Sequence, residues 1–275
     1  MQPKFFLKLA LIVSLSTLIS GCGAKGKQEN NDVVNITIET DFGDIKAVLY
    51  NQTPKHRDNF VKNTEQGAYE GVIFHRVIEN FMIQSGDPAT GINFMGDTDK
   101  LKKFENVVDA EFNNGLIHKK GAIAAARMAD NVNPLKQSSS TQFYIVQGRV
   151  FTPEELNKLA FQRTENAKNT AVNKLIMDKA EKMIDEGKNP NLSELHIQLK
   201  DTIEIIKSKL EPYVFTEEQI NAYTTVGGTP HLDGDYTIFG EVIEGFEVID
   251  KIAAVKTNAM DKPVSDVKMK VKIIK

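Results

Sequence analysis

From Asn35 onward apolar and polar residues alternate with a period of two: Ile36 and Ile38, then, after Asp41-Phe42-Gly43-Asp44, Ile45, Ala47 and Leu49. Successive strand side chains point to opposite faces, so this pattern predicts two half-buried strands joined by a tight glycine-containing turn. Thr53-Pro54 then supplies an N-cap residue and a proline suited to a first helical turn, with Phe60 and Val61 on the buried face of a helix that ends near Gly67. Further strand-like runs cover residues 72–78, 81–84, 122–127, 142–147, 236–242 and 267–274. Many short strands with few helices between them predict a mainly β fold, a closed or nearly closed antiparallel barrel.

Residues 152–223 break the alternation and read as an inserted helical segment, rich in Glu, Lys, Asn and Leu. Val172, Leu175, Ile176, Ala180, Met183 and Ile184 keep to one helical face, and Gly187 with Pro190 supplies a stop. Leu195, Leu199, Ile203, Ile206 and Leu210 mark a second helix, with Asn191 and Glu194 at capping-box spacing. The two apolar stripes predict a helical hairpin whose faces pack on each other or on the barrel.

The first residues follow different rules. Lys4 and Lys8 precede an apolar run from Leu9 to Ile19 that is too short to span a membrane comfortably and reads as an export signal. Leu18-Ile19-Ser20-Gly21-Cys22 resembles a bacterial lipobox, which implies a signal peptide over residues 1–21, cleavage before Cys22, and a diacylglyceryl group on its thiol. Cys22 is the chain's single cysteine, so no intramolecular disulfide forms. Residues 22–34 read as a polar tether, and 35–275 as the folded domain. The expected location is a bacterial cell envelope, on a membrane facing the periplasm or in the outer membrane, with the acyl anchor as the lipid contact.

Composition narrows the options further. With 41% hydrophobic and 26% charged residues the chain is an ordinary globular protein, and a net charge of -3 with interspersed signs gives no footprint for nucleic acid. The five histidines lack metal-ligand spacing, so neither metal nor another cofactor is expected. Ser138 to Thr141 lacks the glycines of a nucleophile elbow and reads as a polar loop.

Three runs carry the chemistry: Phe74 to Asp87, Gly121 to Ile145, and His231 to Val242. By alternation, Met82 and Gln84 share a face while Ile83 turns into the core, and Arg76 faces away from His75, which reads as a satisfied structural histidine. Gln142 and Tyr144 likewise share a face opposite Phe143 and Ile145.

In this order the three runs resemble the core of the cyclophilin family of peptidyl-prolyl isomerases. The similarity covers about residues 35–151 and 224–275 and takes in the opening hairpin, the Thr53-Pro54 helix and Gly245-Phe246-Glu247-Val248. It implies an eight-stranded antiparallel barrel capped by two helices, and proline-containing or unfolded polypeptides as partners. It further implies that Arg76 is the catalytic arginine and that Gln84 and Gln142 hold the substrate backbone. Phe81, Met82, Tyr144 and Leu232 then line the proline pocket, Ala126 and Arg127 its groove wall, and Tyr236 its far rim. Several positions depart from the pattern. Tyr144 replaces a phenylalanine and brings a hydroxyl that needs a partner; Arg127 replaces an asparagine, and Ser85 a glycine. Tyr236 stands in place of a histidine, which leaves the site without a titrating imidazole, and His231 in place of a cyclosporin-contacting tryptophan, which implies weak cyclosporin binding. Two readings stay open at this level: an active isomerase, and a barrel that only binds proline-bearing chains as a chaperone or scaffold.

Overall fold

The computed structural model describes residues 33–274 apart from residue 113, so the expected signal, the expected lipidation at Cys22 and most of the expected tether fall outside the described residues. The hairpin forms as the alternation predicts. Strands β1 (Val34–Thr40) and β2 (Gly43–Leu49) pair from Val34↔Leu49 to Thr40↔Gly43, and Ile36, Ile38, Ile45, Ala47 and Leu49 are buried.

Helix α1 (Pro54–Glu65) follows, but its N-terminus is not capped as expected. The Thr53 side chain makes no cap hydrogen bond, and its buried Oγ1 has no partner among the described residues. Glu111, far along the chain, does the work instead: its carboxylate accepts from the Lys55 and His56 backbone N–H groups at 3.1 and 3.0 Å. An acid at a helix N-terminus satisfies orphan donors and the helix dipole together.

The predicted strand 72–78 is two pieces, β3 (Val72–Ile73) and β4 (Arg76–Ile78). The break changes partners. The Phe74 N–H reaches the Val267 carbonyl at 2.9 Å, while the next N–H, of His75, reaches that of Gln84 at 3.1 Å. Next come β5 (Met82–Ser85), the short helix α2 (Thr98–Leu101), β6 (Val107–Val108), β7 (Ala122–Ala125), β8 (Ser138–Ser139) and β9 (Phe143–Val146). Beyond the helical segment lie β10 (Ile238–Glu244) and β11 (Lys268–Ile274). Sheet order is β3-β11-β1-β2-β10-β7-β9-β5-β4. Because β3 and β4 are one bent strand holding both edges, the sheet curls back on itself as an eight-stranded antiparallel barrel. Closure removes the free edges that would otherwise template aggregation.

Two helices seal the barrel. Phe60 of α1 stacks on Tyr69 at 4.8 Å and meets Phe143 edge-on at 5.3 Å. Helix α7 (Phe246–Ala253) buries Val248, Ile249 and Ile252 in the same core. Gly245 turns the chain into α7 at φ +91°, and a Cβ there would lie 2.4 Å from the Asp44 carbonyl oxygen, so only glycine fits.

The helical segment is longer and more broken than its periodicity suggests. Helix α3 runs from Pro153 to Asp185 behind a Thr152/Glu155 capping box. The second predicted helix is two, α4 (Leu192–Gln198) and α5 (Lys200–Lys209), kinked at Leu199. Val172, Ile176, Ala180, Leu195 and Ile203 form a small core between them, but Ile184 is exposed because the hairpin ends before it can be covered. At the root of α3, Leu156 packs with Phe215 and with Tyr223 of α6 (Glu217–Thr225), against Ile117 and Phe151 of the barrel. Among the described residues no helix is long and apolar enough to cross a membrane.

Candidate active site

Register alone assembles the candidate site. Arg76 lies opposite Gln84, Gln84 opposite Tyr144, and Tyr144 opposite Ala124. Opposed residues project to the same face, so these side chains form one row across four adjacent strands. The neighbouring row, Val77, Ile83, Ile145 and Ile123, turns into the barrel core. One period of alternation thus separates the core from the outer face that carries the cleft.

That outer face holds an apolar cluster of its own, built on Met82, Ala122, Ala124, Tyr144, Val146 and Ile238. Above it, Arg76, Phe81, Met82, Gln84, Ala126, Arg127, Tyr144, Leu232 and Tyr236 line an open cleft of about 420 Å³. Gln142 stands at its edge, where its Oε1 accepts from Gln84 Nε2 at 3.2 Å and fixes both amides. Each of the ten residues assigned to catalysis or substrate binding from the sequence therefore lines this cleft or, for Gln142, touches a residue that does.

The individual side chains are held in different ways. Asn80, at φ +63°, turns β4 into β5, and its N–H donates to Gln147 Oε1 at 2.6 Å, which presents the next residue, Phe81. The Phe81 ring stacks on His231 at 5.5 Å, tying this turn to the short Pro230–Leu232 turn that carries Leu232. Arg76 pairs through Nε with Asp261 at 3.4 Å, both side chains being 43% exposed. Among the described residues nothing hydrogen-bonds the two terminal nitrogens of Arg76, which remain free to donate to a ligand. Asp261 is itself positioned by its carbonyl, which accepts from Val77 N–H at 2.8 Å.

Arg127 lines the cleft and is also tied to its rim. Its guanidinium lies 4.5 Å from the Tyr236 ring centre and its Nε donates to the Asp235 carbonyl at 2.7 Å, so it buttresses Tyr236 from beside the cleft. Tyr236 in turn meets Tyr144 edge-on at 6.0 Å.

Sequence reasoning missed His118. It is fully buried, with Nε2 3.0 Å from the Tyr144 hydroxyl and Nδ1 2.9 Å from Asp233. An imidazole therefore sits one hydrogen bond behind the pocket floor, although none stands in the pocket itself. No local pattern pointed to it, because its partners are 26 and 115 residues away. Burial holds the Tyr144 phenol well above the ordinary tyrosine range, so the pocket keeps a neutral aromatic floor.

Two expectations need correction. Ser138 to Thr141, read from the sequence as a polar loop, begins with a short strand: β8 pairs with β6, and Ser138, Ser140 and Thr141 are buried. Ser138 Oγ lies 2.9 Å from His56 Nε2 and His56 Nδ1 2.7 Å from Glu111, an order of groups like that of a hydrolase triad. Ser138 is only 1% exposed, however, so no substrate reaches it, and the array serves to lock α1 to the barrel. His75 is not fully satisfied either, since its buried Nδ1 has no partner among the described residues. Among those residues, no group of three or more His, Cys, Asp or Glu is placed to hold a metal.

Burial pushes the imidazoles of His56 and His75 below the ordinary histidine range, in His56 against the pull of Glu111. The unfolded chain then takes up protons that these folded imidazoles refuse, so stability is full above about pH 6.5 and is lost as pH falls toward the depressed folded values. The thermal midpoint is expected to be lower at about pH 5 than at about pH 7.5, and His56→Gln to reduce that drop. A midpoint that rises on acidification would contradict this reading.

Comparison with known proteins gives the same picture. The family described as cyclophilin type peptidyl-prolyl cis-trans isomerase/CLD matches residues 35–186 and 214–273, well over half of the chain. A Streptococcus pyogenes protein provisionally named a bifunctional phosphatase/peptidyl-prolyl cis-trans isomerase is 32% identical over 242 residues, which span 87% of this chain and 38% of that one. A Staphylococcus epidermidis protein, provisionally named a peptidyl-prolyl cis-trans isomerase, is 29% identical over 243 residues, 88% of this chain and 91% of its own length. Among solved structures, a Cryptosporidium parvum cyclophilin type peptidyl-prolyl cis-trans isomerase aligns with a TM-score of 0.51 at 20% identity, covering 88% of this chain and 98% of that one, which speaks for the fold.

Proposed function

The chain belongs to the cyclophilin-type family of peptidyl-prolyl cis-trans isomerases, and from that premise we propose that it speeds Xaa-Pro rotation in exported polypeptides while anchored to a bacterial membrane through Cys22. The observation that carries the catalytic part is the register row that sets the Arg76 cation and the Gln84 amide beside an apolar, aromatic-floored pocket.

Rotation about a peptide bond meets a barrier of roughly 18–20 kcal/mol, because the nitrogen lone pair is shared with the carbonyl. In the twisted state that lone pair is localised on the prolyl nitrogen and can accept a hydrogen bond. A terminal N–H of Arg76 donates to it there and gains little in the planar state, which is differential binding of the transition state. Phe81, Met82, Tyr144 and Leu232 hold the proline ring. Gln84 and Gln142, already bonded to each other, hold the polypeptide backbone, so rotation is confined to one bond. The step needs no cofactor and no covalent intermediate.

The location rests on the lipobox-like string ending at Cys22. Two or three acyl chains, at about 0.8 kcal/mol per buried methylene, hold a protein on a membrane durably. Folding of envelope proteins is the setting that fits such an enzyme. Cys22→Ala is expected to abolish incorporation of labelled palmitate and to move the protein out of the membrane fraction. Retention of both label and membrane association would refute the anchor. The proposal also includes weak cyclosporin binding, since His231, stacked on Phe81, stands where a tryptophan would contact the drug. A dissociation constant weaker than about 1 μM is expected by calorimetry, and one in the nanomolar range would count against it.

A further inference from the structure

Behind the pocket floor lies a buried chain of polar groups that ends in the inserted helices. The Asp233 carboxylate, next in sequence to the pocket residue Leu232, accepts four hydrogen bonds. Oδ1 takes the His118 backbone N–H at 2.8 Å and His118 Nδ1 at 2.9 Å, while Oδ2 takes Gln219 Nε2 at 3.0 Å and the Tyr223 hydroxyl at 2.6 Å. These fill the carboxylate's accepting capacity. Gln219 and Tyr223 belong to α6. From α3, Arg163 donates to the Pro230 and Asp233 carbonyls at 3.0 and 2.6 Å, bracketing the turn that bears Leu232.

The proton positions follow from the partners. The Asp233 carboxylate accepts from every partner around it, so His118 Nδ1 carries a hydrogen, and with that tautomer of the uncharged ring Nε2 would accept from the Tyr144 hydroxyl. The phenol thus spends its only hydrogen away from the cleft and presents its ring to the ligand. Without that acceptor, a buried hydroxyl would have to turn toward the cleft to find water, at the expense of the apolar floor.

We infer that His118 is a positioning residue for the pocket, and that the root of the inserted helices, through Tyr223 and Gln219 on Asp233, holds His118 and so sets how tightly the pocket takes proline. This rests on the isomerase reading above. It makes the inserted segment part of the site's support, and it predicts that edits in α6, which does not touch the cleft, alter substrate binding only as long as Tyr144 has a hydroxyl.

The test is a pair of double-mutant cycles on purified full-length protein, with prolyl-peptide exchange as the readout. His118→Leu is expected to lower kcat/KM about ten-fold and Tyr223→Phe about three-fold, mainly through KM. Measured against the Tyr144→Phe single variant, whatever its own rate, both losses should shrink below about two-fold, because removing both partners of a buried hydrogen bond is nearly neutral. Equal losses in both backgrounds would overturn the inference, since His118 and Tyr223 would then act on the fold in general. Should His118→Leu not fold, the Tyr223→Phe cycle decides alone. If the wild type binds prolyl peptide without turning it over, the isomerase reading fails separately, and the same cycles are read on the peptide dissociation constant, where additivity again overturns the coupling.

Discussion

Replacing Arg76 by alanine is expected to lower kcat/KM by about 10²–10³-fold with little change in KM or in thermal midpoint, the range typical of removing one donor that acts chiefly in the transition state. The two halves of this expectation have separate grounds. Arg76 lines the cleft and its terminal nitrogens have no hydrogen-bond partner among the described residues, so they are available to a ligand there. The one ion pair, to Asp261, is half exposed on both sides, and such pairs contribute about 0–1 kcal/mol. Arg76→Lys should recover only a small part of the rate, because an ammonium is a point charge without the planar fork. A variant within about ten-fold of wild type would mean that catalysis does not run through this side chain.

The largest effect on stability is expected at Asp233. Asp233→Ala should cost about 3–5 kcal/mol in urea unfolding, because it strands buried donors from His118, Gln219 and Tyr223 at once. Asp233→Asn should cost less. It keeps one oxygen to accept on the His118 side, but its NH₂ would face the Gln219 and Tyr223 donors. A loss under about 1 kcal/mol for the alanine variant would show that the array is solvated or rearranges freely, and the support assigned to the inserted helices would fall with it.

Much of this architecture was legible in the chain, and the residues show why. Strand alternation sorted Met82 and Gln84 from Ile83, and Tyr144 from Phe143 and Ile145, because burial on one face of a barrel leaves a period of two in the sequence. The cleft residues could be named because they lie within short runs whose order is itself distinctive. Interactions that join distant points left no local trace. Glu111 caps α1 although Thr53 has the composition of a cap, His118 reaches Asp233 across the chain, and the strand through Phe74 and His75 bends only because two different partners claim its two ends. In the helical segment, periodicity marked the buried stripe but not its end, so Ile184 reads like its neighbours yet lies past the last covering helix.

The most direct test of the account is exchange NMR on an Ala-Pro-Phe-type peptide with catalytic amounts of the purified chain. Uncatalysed, the Xaa-Pro bond interconverts in tens to hundreds of seconds at room temperature, too slowly to give cis/trans exchange peaks. The account predicts strong exchange peaks with the wild type that vanish with Arg76→Ala at the same concentration. Peptide binding by the folded wild type without any exchange would contradict it, and would leave a barrel that captures proline-bearing chains without turning them.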